Sequence, residues 1–317
     1  MFRQYYSTKT PEELLDQAGV LSVVSFNTQC QASATPGIIP IGVDSLCGHA
    51  SEVIECGSGT VKRGITGDCQ WSHNDDVMCA ATWIDGKEFD DLEAAAEKAY
   101  LTILEQLRAL DYCYPFRFWN FIADINLGES ERERYKKFCT GRLNAFTKLG
   151  FSSDVFPAAS AVGHHKQGAA IYVLASKAPG VHHENPRQQS AYHYPKQYGI
   201  SSPSFSRATS IDIGNKKLVF ISGTASILGH ETRAPGDINE QLQLTVSNID
   251  HLIAHINLKP SEYYGTRVYL RNKKDLNIAQ KFLADKLSGD NVTYTFADIC
   301  RSNLEVEIET AFEVLEN

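Results

Sequence analysis

The run KLVFISG at residues 217–223 and the segment DINEQLQLTVSNIDHLIAHIN at 237–257 decide the fold of the C-terminal half. The first is a short apolar run typical of a buried strand, and the second carries apolar residues at helical spacing. A further strand-like run, TRVYLR at 266–271, precedes a helical pattern at 274–286. More strands are predicted near 292–299 and 304–314. This half is therefore predicted to form an α+β unit in which strands and helices alternate.

The N-terminal half shows the same order of elements. Its predicted elements are a helix at 88–110, a strand from Phe116 to Ile125, a helix at 130–147 and a strand from Ala169 to Leu174. Because the order repeats at a similar spacing, we predict two copies of one structural unit. The predicted domains are residues 1–175 and 176–317.

The segment 176–206, which opens the second predicted domain, is rich in Ser, Pro, His, Gln and Tyr. Its length suits either a linker or a functional loop. A flexible linker would contain fewer aromatic residues, and this segment contains Tyr192, Tyr194 and Tyr198. The tyrosines favour an ordered, functional connecting loop that packs over another part of the protein.

The composition is that of an ordinary globular protein and excludes several functional classes. Of the 317 residues, 43% are hydrophobic and 21% are charged, and the net charge is -8. This charge gives no general attraction for nucleic acid or for an anionic membrane. No stretch approaches the roughly 18 apolar residues of a membrane span, and the polar N-terminus lacks the apolar core of a signal peptide. Since none of the eight cysteines forms a CxxC pair, we expect a cytoplasmic protein with free thiols.

The predicted last strand alternates between apolar and acidic residues. One face carries Leu304, Val306 and Ile308, and the other carries Glu305, Glu307 and Glu309. The acidic face is either solvated, or it points one glutamate into a pocket where desolvation raises the pKa of the carboxyl group. A carboxylic acid that stays neutral near pH 7 can protonate a substrate carbon. The alternation alone leaves both interpretations open.

Five arginines of the C-terminal half are candidates for binding an anion: Arg207, Arg233, Arg267, Arg271 and Arg301. Within the strand at 266–271, Arg267 and Arg271 share a face with Tyr269. Each arginine is either a solvated surface residue or a partner for a carboxylate, which guanidinium groups bind in bidentate fashion.

Patterns for other chemistries are absent from the sequence. The pairs His164-His165 and His182-His183 each offer about one ligand, too few for a closed zinc site, and no HExxH motif accompanies them. There is no GxSxG motif, no GxGxxG motif that opens a helix and no GxxxxGK[ST] motif. We therefore predict no metal site and no dinucleotide or nucleoside triphosphate cofactor.

Several stretches of the sequence resemble the RidA (YjgF) superfamily. They are Ser222-Gly223-Thr224-Ala225-Ser226, Gly229-His230-Glu231, Gln241 with Thr245, and Val306-Glu307-Ile308-Glu309. Within that superfamily the chain specifically resembles the chorismatases over roughly residues 115–314. The stretches that carry this resemblance are FCTGR at 138–142, FPAASAVGHH at 156–165, SAYHYPKQYGISSPSFSRA at 190–208 and ADICR at 297–301.

The resemblance implies both a fold and an activity. The fold is α+β, with two RidA/YjgF-like (chorismate-mutase-like) domains, each a mixed sheet with helices packed on one face. The active site is expected mainly in the C-terminal domain. The implied reaction cleaves chorismate and releases pyruvate without a metal or an organic cofactor. The expected partner is the small molecule chorismate, not nucleic acid or a membrane, and the chain is expected to act as a monomer or a trimer.

The resemblance also implies roles for individual residues. Glu307 is the implied catalytic acid, which protonates the enolpyruvyl methylene, and Glu309 on the same face is the alternative acid. The implied substrate-binding residues are Arg142, Tyr192, Tyr198, Arg207, Gly223 and Arg267. Cys300 is implied near the ring of the substrate, where it either attacks the ring or shapes the pocket.

Chorismatases differ in the second product that they form. Some hydrolyse the enol ether and leave a dihydroxycyclohexadiene carboxylate, and others form 3-hydroxybenzoate, sometimes with 4-hydroxybenzoate. The chain resembles the aromatising members in Gly223 and in Cys300, seven residues before Glu307. The resemblance therefore implies 3-hydroxybenzoate as the product. The alternatives are the hydrolytic chorismatase reaction, a RidA-like enamine or imine hydrolase, and a non-catalytic binder of small molecules.

Overall fold

The computed structural model describes residues 2–57, 59–286 and 291–315 of the chain. In these residues the α-helices are α1 (Pro11–Leu15), α2 (Leu92–Ala109), α3 (Arg134–Lys148), α4 (Ile238–Ile256) and α5 (Leu276–Leu283). The strands are β1 (Arg3–Ser7), β2 (Val20–Ser25), β3 (Ile38–Pro40), β4 (Asp44–Ser45), β5 (Ser51–Glu55), β6 (Lys62–Thr66), β7 (Cys69–His73), β8 (Val77–Ile84), β9 (Tyr114–Ala123), β10 (Ala158–His164), β11 (Ala169–Ser176), β12 (Val181–His183), β13 (Ala208–Ile213), β14 (Lys216–Ala225), β15 (Ile227–Leu228), β16 (Glu231–Thr232), β17 (Pro260–Leu270), β18 (Val292–Phe296), β19 (Asp298–Ile299) and β20 (Val306–Val314).

The first large sheet has the strand order β19-β10-β9-β11-β8-β7-β6 and is mixed, because β10 runs parallel to β9 while the other pairs are antiparallel. Helices α2 and α3 cover one face. Helix α2 buries apolar residues at helical spacing, among them Leu92, Ala96, Tyr100, Ile103 and Leu107. The two helices meet at Gly141, where a Cβ atom would lie 2.2 Å from the backbone oxygen of Glu93. Only glycine permits this close approach of the helices.

The second large sheet has the order β12-β13-β14-β20-β17-β18-β4 and is also mixed, because β17 and β18 are parallel. Helices α4 and α5 cover one face. Leu242 and Leu252 of α4 pack in one core with Val219 of β14 and Ile308 of β20. A smaller sheet of order β1-β5-β2-β3 carries helix α1.

The uncovered faces of the two large sheets pack against each other and share one apolar core. Phe116 of the first sheet meets Phe220 of the second, with ring centroids 5.1 Å apart. Trp119 stacks on Tyr172 at 4.6 Å within the same core. The order of layers is therefore helix, sheet, sheet, helix.

The two halves of the chain exchange short strands. Strand β4 from the first half pairs with β18 at the edge of the second sheet, and β19 from the second half pairs with β10 at the edge of the first. Each large sheet therefore contains backbone from both halves, and the division at 175/176 stays a prediction.

The predicted α+β fold class, with mixed sheets that each carry helices on one face, is confirmed. The strand predicted near 292–299 is in fact two strands, β18 and β19, which belong to different sheets. The chain leaves β18 at Ala297, whose N–H donates to Leu270 O at 3.0 Å, and then turns toward the first sheet. No helix in the described ranges is long and apolar enough to cross a membrane.

Candidate active site

A cavity of about 390 Å³ lies where the two large sheets meet. Its walls come from β10 and helix α3 of the first half and from β14, β20 and the turn that precedes β20. The loop that ends at Arg207 covers it, and this loop is ordered into two short 3-10 turns, Ala191–His193 and Lys196–Tyr198. The site is thus shared by both halves, whereas the resemblance places it mainly in the C-terminal one.

Glu307 projects from β20 into this cavity. The residue is only 4% exposed, and among the described residues burial and nearby charges, not hydrogen bonds, act on its carboxyl group. Burial raises the pKa of Glu307 to about 8, the negative charge of Glu309 adds to the rise, and Arg117 and Arg207 oppose it. The carboxyl group is therefore mostly protonated at neutral pH and has its proton available. The burial decides between the two interpretations of the acidic face, since Glu307 and Glu309 are not solvated.

Gly223 lies against the Glu307 carboxyl group at an irregularity of β14. The pairing of β14 with β20 shifts register between Ile221 and Thr224, which is the sign of a β-bulge. A Cβ atom at Gly223 would lie 2.0 Å from Oε1 of Glu307. The backbone N–H of Gly223 donates to Oγ of Ser160 at 2.8 Å. A glycine in this bulge therefore provides the space that the carboxyl group occupies.

Three arginines line the cavity: Arg142, Arg207 and Arg301. None of them has a carboxylate within ion-pair distance in the part of the chain that the structure describes. Each also retains a buried N–H group without a partner there, Nε of Arg142 and Arg207 and Nη2 of Arg301. Burying an unpaired guanidinium is costly, so this arrangement favours an anionic ligand.

Aromatic residues hold two of these arginines in place. Arg207 Nη2 donates to the hydroxyl oxygen of Tyr194 at 2.8 Å and to Gln189 O at 2.9 Å. The guanidinium of Arg301 lies 3.9 Å above the ring of Tyr198. Such stacking orients a guanidinium without neutralising its charge.

Cys300 lines the same cavity, next to Arg301 in the turn before β20. Burial, and then the charge of Glu307, raise the pKa of the Cys300 thiol to about 12. The sulfur is therefore a neutral thiol at neutral pH, which is a much weaker nucleophile than a thiolate.

Two of the predicted substrate contacts lie elsewhere. Arg267 is fully buried outside the cavity, where it pairs with Glu52 and lies 3.4 Å from Glu309. Its charge is therefore balanced within the protein, and we correct its assignment to a structural ion pair. Tyr192 packs against Phe156, with ring centroids 6.0 Å apart, and does not line the cavity.

Glu309, the alternative acid, does not line the cavity either. Its carboxylate accepts hydrogen bonds from Arg117 and Trp119 and so has no access to a ligand there. Two cavity residues, Arg301 and Tyr194, are not among the substrate contacts that the resemblance implies, although both lie in the stretches 190–208 and 297–301 that carry it and Arg301 is one of the five candidate arginines. The tyrosines of that loop indicated a functional role in the sequence, but their spacing does not predict which of them face the cavity.

Comparison with known proteins identifies relatives of this chain. The family model described as chorismatase FkbO/Hyg5-like, N-terminal, matches residues 54–175. A protein named 3-hydroxybenzoate synthase from Streptomyces hygroscopicus is 42% identical over 233 residues, which is 68% of this chain and 68% of that protein. A chorismatase from Streptomyces rapamycinicus is 33% identical over 230 residues, 68% of this chain and 69% of the relative. A crystal structure of a chorismatase matches with a TM-score of 0.87 at 25% identity and covers 98% of both chains.

Proposed function

The chain belongs to the chorismatase family, and we propose that it cleaves chorismate to pyruvate and 3-hydroxybenzoate. The observation that carries this proposal is the buried, unpaired carboxyl group of Glu307 in a cavity lined by three arginines without carboxylate partners in the described ranges. The same cavity contains Gly223 and Cys300, the two residues that the resemblance links to aromatisation.

The charges of the cavity suit this substrate. Chorismate carries two carboxylates, one on the ring and one on the enolpyruvyl group. Arg142 lies on the α3 side of the cavity, while Arg207 and Arg301 lie under the loop and in the turn before β20. Guanidinium groups on two sides can each bind one carboxylate and so fix the orientation of the molecule. The protein is acidic overall, so this concentration of positive charge is local to the site.

Glu307 supplies the proton that starts the reaction. The methylene carbon of the enol ether is electron-rich, and protonation there gives an oxocarbenium-like centre at the ether carbon. Water, or the neighbouring ring hydroxyl, attacks that centre. Breakage of the bond between the ether carbon and the ring oxygen releases pyruvate, and loss of a ring proton together with cleavage of the second ring carbon–oxygen bond leaves the aromatic ring of 3-hydroxybenzoate. Pyruvate and 3-hydroxybenzoate together contain all the atoms of chorismate, so this conversion needs no net oxidation or reduction.

Cys300 lies at the cavity wall as a neutral thiol, and this favours a role in shaping the space around the ring over attack by a thiolate. A small, weakly polar side chain at this position limits where water can approach the ring. Exclusion of water from the ring favours aromatisation over formation of the dihydrodiol.

The test is the reaction itself. The purified protein is incubated with chorismate, pyruvate is followed through lactate dehydrogenase, and the second product is identified by chromatography. We expect one 3-hydroxybenzoate for each pyruvate. A dihydroxycyclohexadiene carboxylate in its place would assign the chain to the hydrolytic reaction, and turnover of 2-aminoacrylate without pyruvate release from chorismate would contradict the proposal.

A further inference from the structure

Glu309 is buried beside the cavity in a cluster of four charged side chains. It accepts hydrogen bonds from Arg117 Nη2 at 2.6 Å and from Trp119 Nε1 at 2.8 Å. Nη1 of Arg267 lies 3.4 Å away and completes the cluster through its pair with Glu52. The positive charges of the two guanidinium groups balance the negative charges of the two carboxylate groups. The cluster therefore places no excess positive charge near Glu307 that would favour loss of its proton.

Ser160 connects this cluster to the acid. Its hydroxyl group donates to Oε2 of Glu309, and its oxygen accepts from the N–H of Gly223 at 2.8 Å. Gly223 is the residue whose backbone borders the Glu307 carboxyl group. A continuous series of contacts therefore runs from Glu309 through Ser160 and Gly223 to Glu307.

Charged groups face Glu307 from several elements. Glu309 on the same strand raises its pKa, and Arg117 on β9 and Arg207 before β13 lower it, while Cys300 is a neutral thiol. The other charged residues that line the cavity are Glu133, Lys136, Arg142 and Arg301. Of all these groups, Glu309 is the carboxylate that combines a charge effect on Glu307 with a hydrogen-bonded path to its position.

We propose that Glu309, through its negative charge and through its hydrogen bond with Ser160, is a positioning residue for Glu307. This inference rests on the proposed function of Glu307 as the acid. Glu309 does not line the cavity, so it acts on the reaction only through its neighbours.

The charge is tested with the pH–rate profiles of Glu309→Gln and Glu309→Asp, with pyruvate release from chorismate as the readout. Removal of the charge should lower the pKa of Glu307 and move the alkaline midpoint of kcat down by about one pH unit. Asp keeps the charge on a shorter side chain, so kcat should fall while the midpoint stays. A Glu309→Gln profile with a lower kcat and an unmoved midpoint would overturn the proposal.

Infrared spectroscopy measures the same proton without turnover. The difference spectrum between a protein and its Glu307→Gln counterpart isolates the C=O band of the protonated Glu307 carboxyl group. In Glu309→Gln this band should disappear at a lower pH than in the natural protein. An unshifted band contradicts the positioning role even if chorismate proves not to be the substrate, which separates this failure from failure of the proposed function.

The hydrogen-bonded path is tested with Ser160→Ala, which also serves if Glu309→Gln does not fold. This substitution leaves the charge of Glu309 in place and removes the hydrogen bonds of the Ser160 hydroxyl to Gly223, Glu309 and Arg117. We expect kcat to fall at least about tenfold with little change in KM, because the acid is misplaced while Arg142, Arg207 and Arg301 keep their contacts. An unchanged kcat would show that neither Ser160 nor the hydrogen-bonded path through it is needed to place Glu307.

Discussion

In the proposed mechanism catalysis depends on the proton of Glu307, and the pKa of about 8 of this carboxyl group predicts a pH dependence. The group donates a proton, so the active form is the acid, which is present below that pKa and lost above it. We expect kcat for pyruvate release to be nearly constant below about pH 7 and to fall as the pH rises through about 8. A kcat that rises across this range would show that the ionised carboxylate is the active form.

Cys300 is the residue whose replacement should change the product. Cys300→Ala enlarges the cavity where we expect the ring of the substrate to lie, and so admits water there. The share of 3-hydroxybenzoate should therefore fall relative to the dihydrodiol or 4-hydroxybenzoate. Chromatography of the products measures this ratio, with the exposed Cys113→Ala as the matched control. An unchanged product ratio would show that Cys300 does not determine which product forms.

At the scale of residues, part of the site followed from the sequence. Six of the eight predicted residues line one cavity: Arg142, Tyr198, Arg207, Gly223, Cys300 and Glu307. Arg267 does not line the cavity. The alternation along a strand predicts which face of the sheet a residue is on, but it does not predict what packs against that face. Arg267 is in register with Glu309 and meets the buried Glu52, and neither neighbour is near it in sequence.

The bulge in β14 is the element that creates room for the acid, and Gly223→Ala tests it. The added Cβ would lie 2.0 Å from Oε1 of Glu307, so the carboxyl group has to move. The backbone of Gly223 is not in the left-handed region, so we expect the protein to fold. We expect kcat to drop about 10²-fold, since small displacements of a catalytic group have effects of that size.

Gly86→Ala is the matched control for this substitution. Its Cβ would meet its nearest neighbour, Cβ of Gln167, at an ordinary 3.4 Å, and Gly86 does not line the cavity of Glu307. It should leave kcat unchanged. If Gly223→Ala retains the natural kcat as well, the bulge is not required for placing the acid.

At the scale of elements, periodicity predicted the type of most segments and was less accurate about their ends. The helix at 237–257 is observed as α4, Ile238–Ile256, where Asp237 caps the first turn by accepting from the N–H groups of Asn239 and Glu240. The split of 292–299 between two sheets was not predictable, because the stretch contains no glycine or proline to mark a break and only tertiary contacts separate its two strands.

The buried pair of Arg267 and Glu52 joins β17 of the second sheet to β5 of the small sheet. Arg267→Ala leaves the carboxylate of Glu52 buried without its partner, so we expect the free energy of unfolding to fall by about 3–5 kcal/mol. Urea unfolding measures this loss. Arg233→Ala, which removes an ion pair with half-exposed side chains, is the control and should cost about 1 kcal/mol or less. A stable Arg267→Ala protein with a raised KM for chorismate would restore Arg267 as a substrate contact.

At the scale of the whole molecule, the sequence predicted two similar α+β units but not how they pack. Residues that line the interface between the sheets, such as Phe116 and Phe220, are apolar like those under the helices, so pattern alone does not distinguish the two cores. The cavity exists because the two sheets meet, and this explains why a site expected mainly in one half draws residues from both.

Glu307 is proposed as the acid that protonates the substrate, and pyruvate release by Glu307→Gln is the sharpest test of this role. Glu305→Gln, one residue before the start of β20 and outside the cavity, is the matched control. We expect Glu307→Gln to lose at least about 10²-fold in kcat and Glu305→Gln to retain it. Because a carboxyl group with a raised pKa weakens folding above its unfolded pKa, Glu307→Gln should also be at least as stable as the natural protein at pH 7. A folded Glu307→Gln protein that releases pyruvate at the natural rate would contradict the claim.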